Sequence, residues 1–460
     1  MKERTSFLSN PFIVTLAFLS SVLIIINWSI LPIIIFFVFL FTFWKYKINF
    51  LIFSICALFP IIASFGPINE LPIIFVLSPP LFVMTVFLAI KNNEKIFSRN
   101  IALFITGLGI IFVWAAIGYI RDPISISLNN KIIIKEYFYI ITGIFIFFIN
   151  LFYFKEYRIN EKRFLCFLAL SSLILSILRI LSYFGDFYIP FFGSAFNYIE
   201  EGAQIWRHRL GGIDQACIIG IPAVLAYYYR TRLKYVFLAC FFIVAVIGGG
   251  KTIFFSFILL LLVDLFLTER KKIILIFIFL LLIIAFFIYF SDYIRLPEQL
   301  NSILRINNLY REDPLRLATY QYYWLIFAQN PIFGKGIGFY GGIVQLEYSK
   351  FIDEQLISGG HGAYLSILST FGIGGGFFLL IMLLGGMLKS FSLFKELILR
   401  RNNLIYLDRM VIFIFYYLVL TIFSFLTVGS GFDNLPLYYF IGMLSGILLR
   451  KSQLADNIKP

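Results

Sequence analysis

The chain has 460 residues, of which 61% are apolar, 20% aromatic and 13% charged, with a mean hydropathy of +0.93. A soluble domain carries roughly 25% charged residues and about half apolar ones, so a water-soluble enzyme and a disordered chain are both excluded. The formal net charge of +14 would suggest nucleic acid in a soluble protein. In a chain this apolar, the excess of Lys and Arg is first a statement about topology, and no nucleic-acid partner is expected.

Crossing a bilayer as a helix takes roughly 20 apolar residues. In chain order, apolar runs lie near 11–27, 30–44, 49–65, 71–90, 101–120, 137–154, 164–184, 213–229, 233–249, 252–268, 273–290, 362–388, 410–428 and 435–449. They predict an all-α polytopic integral membrane protein with about fourteen spans, since helices satisfy their own backbone in lipid. The opening MKER before the run from Pro11 resembles a signal sequence but has no small-residue cleavage site, so a retained first helix is expected. With the N-terminus inside, the inner segments collect 25 of the 38 Lys and Arg but 8 of the 24 Asp and Glu. Both termini are therefore expected to be cytoplasmic.

Two outer segments are long. Residues 185–212 form one, and the other runs from Ser291 to about Gly360. The second is too long for a mere turn and reads as functional. Within it, Pro314 to Gln329 predicts an amphipathic helix with Pro at its first position, ended by the Gly-rich NPIFGKGIGFYGG. The chain divides into N-terminal spans at 1–184, further spans at 185–290, the outer loop at 291–361 and C-terminal spans at 362–460.

Among residues that could do chemistry, His361 stands where the long outer segment meets the next span. A neutral imidazole there could accept a proton from a hydroxyl, or equally sit at the interface hydrogen-bonded to a loop. Arg207, Arg209, Lys251 and Arg316 share the same predicted side. Basic residues often meet lipid headgroups, but these lie on the side that should be poor in them. Arg suits bidentate contacts to phosphate, and Lys adds a compact charge. Arg179 and Asp264 are charges inside spans, which mark either function or a structural pair. GGGKT at 248–252 lacks the first glycine of a P-loop and lies between spans, so ATP binding is rejected. The four cysteines and two histidines show no metal-site spacing, and neither metal nor cofactor is expected.

Four pieces occur together between Arg209 and Gly376: RLGGIDQ, IGGGKTIFF, RLATYQYYWLIFAQNPIFGKGIGFY and HGAYLSILSTFGIGG. This stretch resembles the O-antigen polymerase and ligase superfamily of bacterial envelope proteins. The chain departs from the usual pattern in having Gly362 after the histidine, where Asn is frequent, and Gly250-Lys251 where Ser-Arg is frequent. The resemblance implies a GT-C-like, metal-independent glycosyltransferase with a large periplasmic loop in the bacterial inner membrane. Its implied substrates are undecaprenyl-diphosphate-linked oligosaccharides, as donor and as acceptor, with a chain-length regulator as a further partner. A repeat-unit polymerase for O-antigen or capsule is the leading expectation. His361, Arg316 and Arg209 would then be catalytic, and Lys251 and Arg207 would bind the diphosphate. An O-antigen ligase acting on lipid A-core is the nearest rival, and a transporter of lipid-linked oligosaccharide is the rival of another class.

Overall fold

The computed structural model describes residues 49–59, 73–91, 98–121, 131–157, 159–184, 213–229, 231–247, 251–268, 314–337, 362–399, 408–426 and 434–456. Among these residues the ordered elements are helices. They are α1 (Asn49–Leu58), α2 (Ile73–Lys91), α3 (Arg99–Arg121), α4 (Lys131–Glu156), α5 (Glu161–Phe184), α6 (Ile213–Tyr227) and α7 (Lys234–Ile247). There follow α8 (Lys251–Thr268), α9 (Pro314–Gln329), α10 (Ala363–Leu379), a π-helical turn (Leu380–Gly385), α11 (Gly386–Leu399), α12 (Asp408–Ser424) and α13 (Leu435–Asp456).

Five stretches of the described residues are long and apolar enough to cross a membrane: Ile74–Lys91, Ile101–Arg121, Tyr137–Glu156, Glu161–Leu181 and Ala363–Leu397. The apolar helices α6, α7 and α8 are shorter. The chain is thus a helical, multi-pass membrane protein. The expected spans at 11–27, 30–44 and 273–290 lie outside the described residues. The expected span at 362–388 proves to be one long helical stretch with two irregularities, a break at Gly372 and the π turn.

Burial sorts the helices. Bulky apolar side chains on α2, α3 and α5, among them Phe87, Phe112, Ile120, Ile174 and Leu181, are exposed. In a chain of this composition such faces meet lipid. By contrast, α12 and α13 are buried along most of their length, and Tyr416, Tyr417, Tyr438 and Tyr439 are fully enclosed. The Tyr439 hydroxyl shares a 2.7 Å hydrogen bond with Ser54 of α1, so one buried phenol has its partner. The α13 backbone closes on α4 at Gly442 and Gly446, spaced as small-xxx-small. A Cβ on Gly446 would come within 2.5 Å of the Leu151 carbonyl oxygen.

Most successive helices run in opposite directions, which gives the bundle two ends. One carries the starts of α5, α7 and α12 and the end of α13. There the Arg409 amide donates to Glu161 at 3.0 Å, and its guanidinium donates to the Tyr227 carbonyl. Lys451 bonds Asp408 at 3.0 Å, and Arg450 donates to the Tyr157 carbonyl at 2.7 Å. Just inside this end, buried Lys234 pairs with buried Asp264, which also accepts from the Tyr416 hydroxyl at 2.8 Å. The opposite end carries the end of α3 and the starts of α6, α8, α9 and α10.

Candidate active site at the Gly362 end

The Gly-rich loop after α9 does not stand apart from the bundle. Its turn, Asn330 to Ile337, lies against the break in α10. The Lys335 amide donates to the Ser369 carbonyl and the Gly336 amide to the Thr370 carbonyl, each at 2.9 Å. In return the Ile373 amide donates to the Pro331 carbonyl at 2.8 Å. An unbroken helix would have bonded the Ile373 amide to the Ser369 carbonyl. The break frees both groups, and the loop satisfies both, as irregular backbone inside a membrane bundle requires.

Two glycines make this clasp possible. Gly372 has φ 56° and Gly334 has φ 67°, values that side-chain-bearing residues rarely adopt. A Cβ on Gly372 would lie 2.5 Å from the Ile332 carbonyl oxygen, and one on Gly334 would lie 2.6 Å from the Gly372 nitrogen. The two chains therefore meet backbone to backbone. FGKG and FGIGG, both within the pieces that carry the sequence resemblance, are thereby explained as a structural clasp.

Helix α3 walls the clasp. The Trp114 indole N–H donates to the Ile332 carbonyl at 2.9 Å, with its ring over Gly374. Two turns on, the Arg121 guanidinium donates to the Gly334 carbonyl at 3.3 Å and stands 5.7 Å from the Phe333 ring centre. Neither residue was singled out from the sequence. Arg121 had a signal, because it is a basic residue at the end of a span on the expected outer side.

The start of α10 is held by its neighbours rather than by a side-chain cap. Gly362 precedes the helix in a left-handed conformation, φ 86° and ψ 82°, with no side-chain cap. The Ala363 amide donates to the Phe425 carbonyl of the segment after α12, at 3.0 Å. The Tyr364 hydroxyl donates to the Ile422 carbonyl at 2.8 Å. From α9, the Tyr320 ring covers Gly362 so closely that a Cβ there would meet it at 2.6 Å, and its hydroxyl donates to the Leu426 carbonyl at 3.1 Å. Tyr320 therefore couples α9, the start of α10 and the end of α12.

Of the sequence-derived site residues, Arg316 and Lys251 lie in described helices. Arg316 lies in the first turn of α9, four residues before Tyr320. Lys251 is the first residue of α8. His361 immediately precedes Gly362 but lies, with Arg207 and Arg209, outside the described residues. The α9 boundaries agree with the sequence reading at both ends. Among the described residues, no three His, Cys, Asp or Glu side chains gather as metal ligands would.

A comparison with curated proteins gives no match. The family model described as O-antigen ligase matches residues 235–380, from the start of α7 through the clasp to the first residue of the π turn. That range takes in Lys251, Arg316 and His361 and leaves out α1 to α6. Residues 235–380 are thus similar to the O-antigen ligase family, which supports the chain's resemblance to the O-antigen polymerase and ligase superfamily.

Proposed function

We propose that the protein is a repeat-unit polymerase, a glycosyltransferase that joins undecaprenyl-diphosphate-linked oligosaccharides at the periplasmic face of the bacterial inner membrane. A sugar hydroxyl of one lipid-linked unit attacks the anomeric carbon of another. The new glycosidic bond forms as the bond to the diphosphate oxygen breaks, and the lipid diphosphate leaves. His361 orients that hydroxyl or accepts its proton. Arg316 and Arg209 stabilise charge on the departing diphosphate, while Lys251 and Arg207 hold it. Tethering both substrates in one bilayer adds the advantage of orientation.

The observation that carries this reading is the contact of Tyr320 with Gly362, inside the family-matched region. One helical turn separates Tyr320 from Arg316, and one peptide bond separates Gly362 from His361. A cation suited to phosphate and a group suited to a hydroxyl thus belong to chain segments that touch. Transfer to lipid A-core is the second reading, favoured by the ligase description of the matching family.

The test is reaction of the purified, reconstituted protein with a synthetic lipid-diphosphate repeat unit. A product ladder formed without lipid A-core supports the polymerase. Transfer only when core is supplied makes the protein a ligase, and no covalent product in either case overturns the transferase reading.

A further inference from the structure

Arg179 lies within α5, five residues before its end, and is only 7% exposed. Its Nε and Nη1 have no hydrogen-bond partner. A guanidinium left so within an apolar bundle costs several kcal/mol, of order, unless something completes it. Arg179 differs in this from Arg121, Arg409, Arg450 and Lys234, each of which reaches a carbonyl or carboxylate.

The register between α5 and α6 shows what Arg179 faces. A Cβ on Gly220 would meet the Ser172 Cβ at 2.7 Å, and Cys166 neighbours Tyr228. As the α5 number falls, the α6 number rises, so the helices are antiparallel. Seven residues beyond Ser172, two turns, bring Arg179 level with Ile213, the first residue of α6. Ser172, Ser176 and Arg179 share one helix face, opposite the exposed face of Leu170, Ile174, Ile177 and Leu181. The Ser172 hydroxyl is also buried without a partner. Arg179 therefore lies level with the first turn of α6, where the amide groups of a helix start provide further donors for an anion.

We infer that Arg179 and the amino-terminal turn of α6 form a binding site for the phosphate of a membrane-anchored lipid. Arg offers Nε and Nη1 as a two-point donor to adjacent phosphate oxygens, and the helix start adds its dipole. Asp214, in the same turn, limits the positive potential, and neither unpartnered nitrogen of Arg179 bonds to it. Removing its charge should strengthen the site. Two sources share this chemistry: a lipid diphosphate carrying glycan, and an anionic phospholipid headgroup. Only assignment to the first rests on the proposed transferase function.

The experiment is lipid binding to the full-length protein in phosphatidylcholine nanodiscs, read by native mass spectrometry without any transfer reaction. The probes are undecaprenyl diphosphate, which carries no sugar, and phosphatidylglycerol. Arg179→Gln should weaken binding of at least one probe tenfold or more, with Arg179→Lys between it and wild type. Dependence confined to the diphosphate marks a substrate subsite, whereas equal dependence for phosphatidylglycerol marks a headgroup site. Asp214→Asn, in a chain that keeps Arg179, should tighten the same probe severalfold. It also decides the matter should Arg179→Gln not insert. Unchanged binding of both probes by Arg179→Gln, or unchanged or weaker binding by Asp214→Asn, overturns the site. Because no glycan is transferred, failure here is distinct from failure of the polymerase reading.

Discussion

At the Asp408 end of the bundle, charged side chains fasten the helices: Glu161 accepts from the Arg409 amide, Lys451 reaches Asp408 and Lys234 reaches Asp264. At the Gly362 end, the corresponding joints are backbone hydrogen bonds between glycine-rich segments, with Trp114 and Tyr320 packed over them. Ion pairs can fasten helices wherever side chains reach. A backbone clasp fixes two segments to within a few tenths of an ångström and leaves nearby side chains free for a ligand. The first arrangement suits a scaffold, and the second suits a site that must hold a helix start and a loop in register.

The largest effect on stability is expected at the scaffold end. Asp264→Ala leaves the Lys234 ammonium buried with its partner removed and should cost about 3–5 kcal/mol. The double change Lys234→Met with Asp264→Leu should recover most of it. Unfolding in mixed micelles measures both, and a double variant as weak as the single one would show that the pair does more than compensate its own burial.

At the other end, Gly372→Ala adds a Cβ to a residue at φ 56° with the Ile332 carbonyl oxygen 2.5 Å away. Strain of this kind costs about 1–3 kcal/mol before the clash is counted. Transfer activity should fall with it, since the α9–α10 register is lost. Gly334→Ala should behave alike. Trp114→Phe removes the donor to the Ile332 carbonyl and part of the ring that covers Gly374, and the lost hydrogen bond alone should cost about 1 kcal/mol. Gly109→Ala, in α3 with open space around the added methyl, should be neutral or favourable by about 0.5–1 kcal/mol. Equal losses at Gly109 and Gly372 would remove the special status of the clasp.

Much of the scaffold could be read from composition, because hydropathy and turn residues report local chain properties. The α9 limits, from Pro314 to Gln329, follow from a proline suited to a first turn and a glycine-rich exit. The break at Gly372 could not be read that way. FGIGG is apolar throughout, and only the arrival of residues 331–336 explains why it leaves the helix. The sequence marked those glycines through family resemblance without giving their physical task. The Lys234–Asp264 pair did leave a trace. The two residues lie equally far from the glycines at 248–250, as partners across a helical hairpin must. Asp264 reads from the sequence as an intramembrane charge, whereas Lys234, close to Arg230 and Arg232, reads as one of the cations that set topology. For the site itself, the sequence singled out Arg316, Lys251 and His361 by residue type and expected side. Tyr320 and Trp114 were missed because aromatic residues are abundant throughout this chain and their role is set by what crosses them, whereas Arg121 did carry a signal as a basic residue at the outer end of a span.

The most direct measurement is the initial rate of glycosyl transfer by reconstituted protein with saturating lipid-diphosphate repeat unit, comparing a change at each end. His361→Ala should lower the rate roughly a hundredfold or more while leaving the unfolding midpoint near wild type. His361→Gln separates hydrogen bonding from proton acceptance, since Gln retains only the former. Lys451→Ala, at the scaffold end, should leave the rate within about twofold and lower stability by about 1–3 kcal/mol, because Lys451 is partly exposed but its removal takes a partner from the buried Asp408 carboxylate. A His361→Ala protein that transfers at the wild-type rate would contradict placement of the chemistry at the Gly362 end.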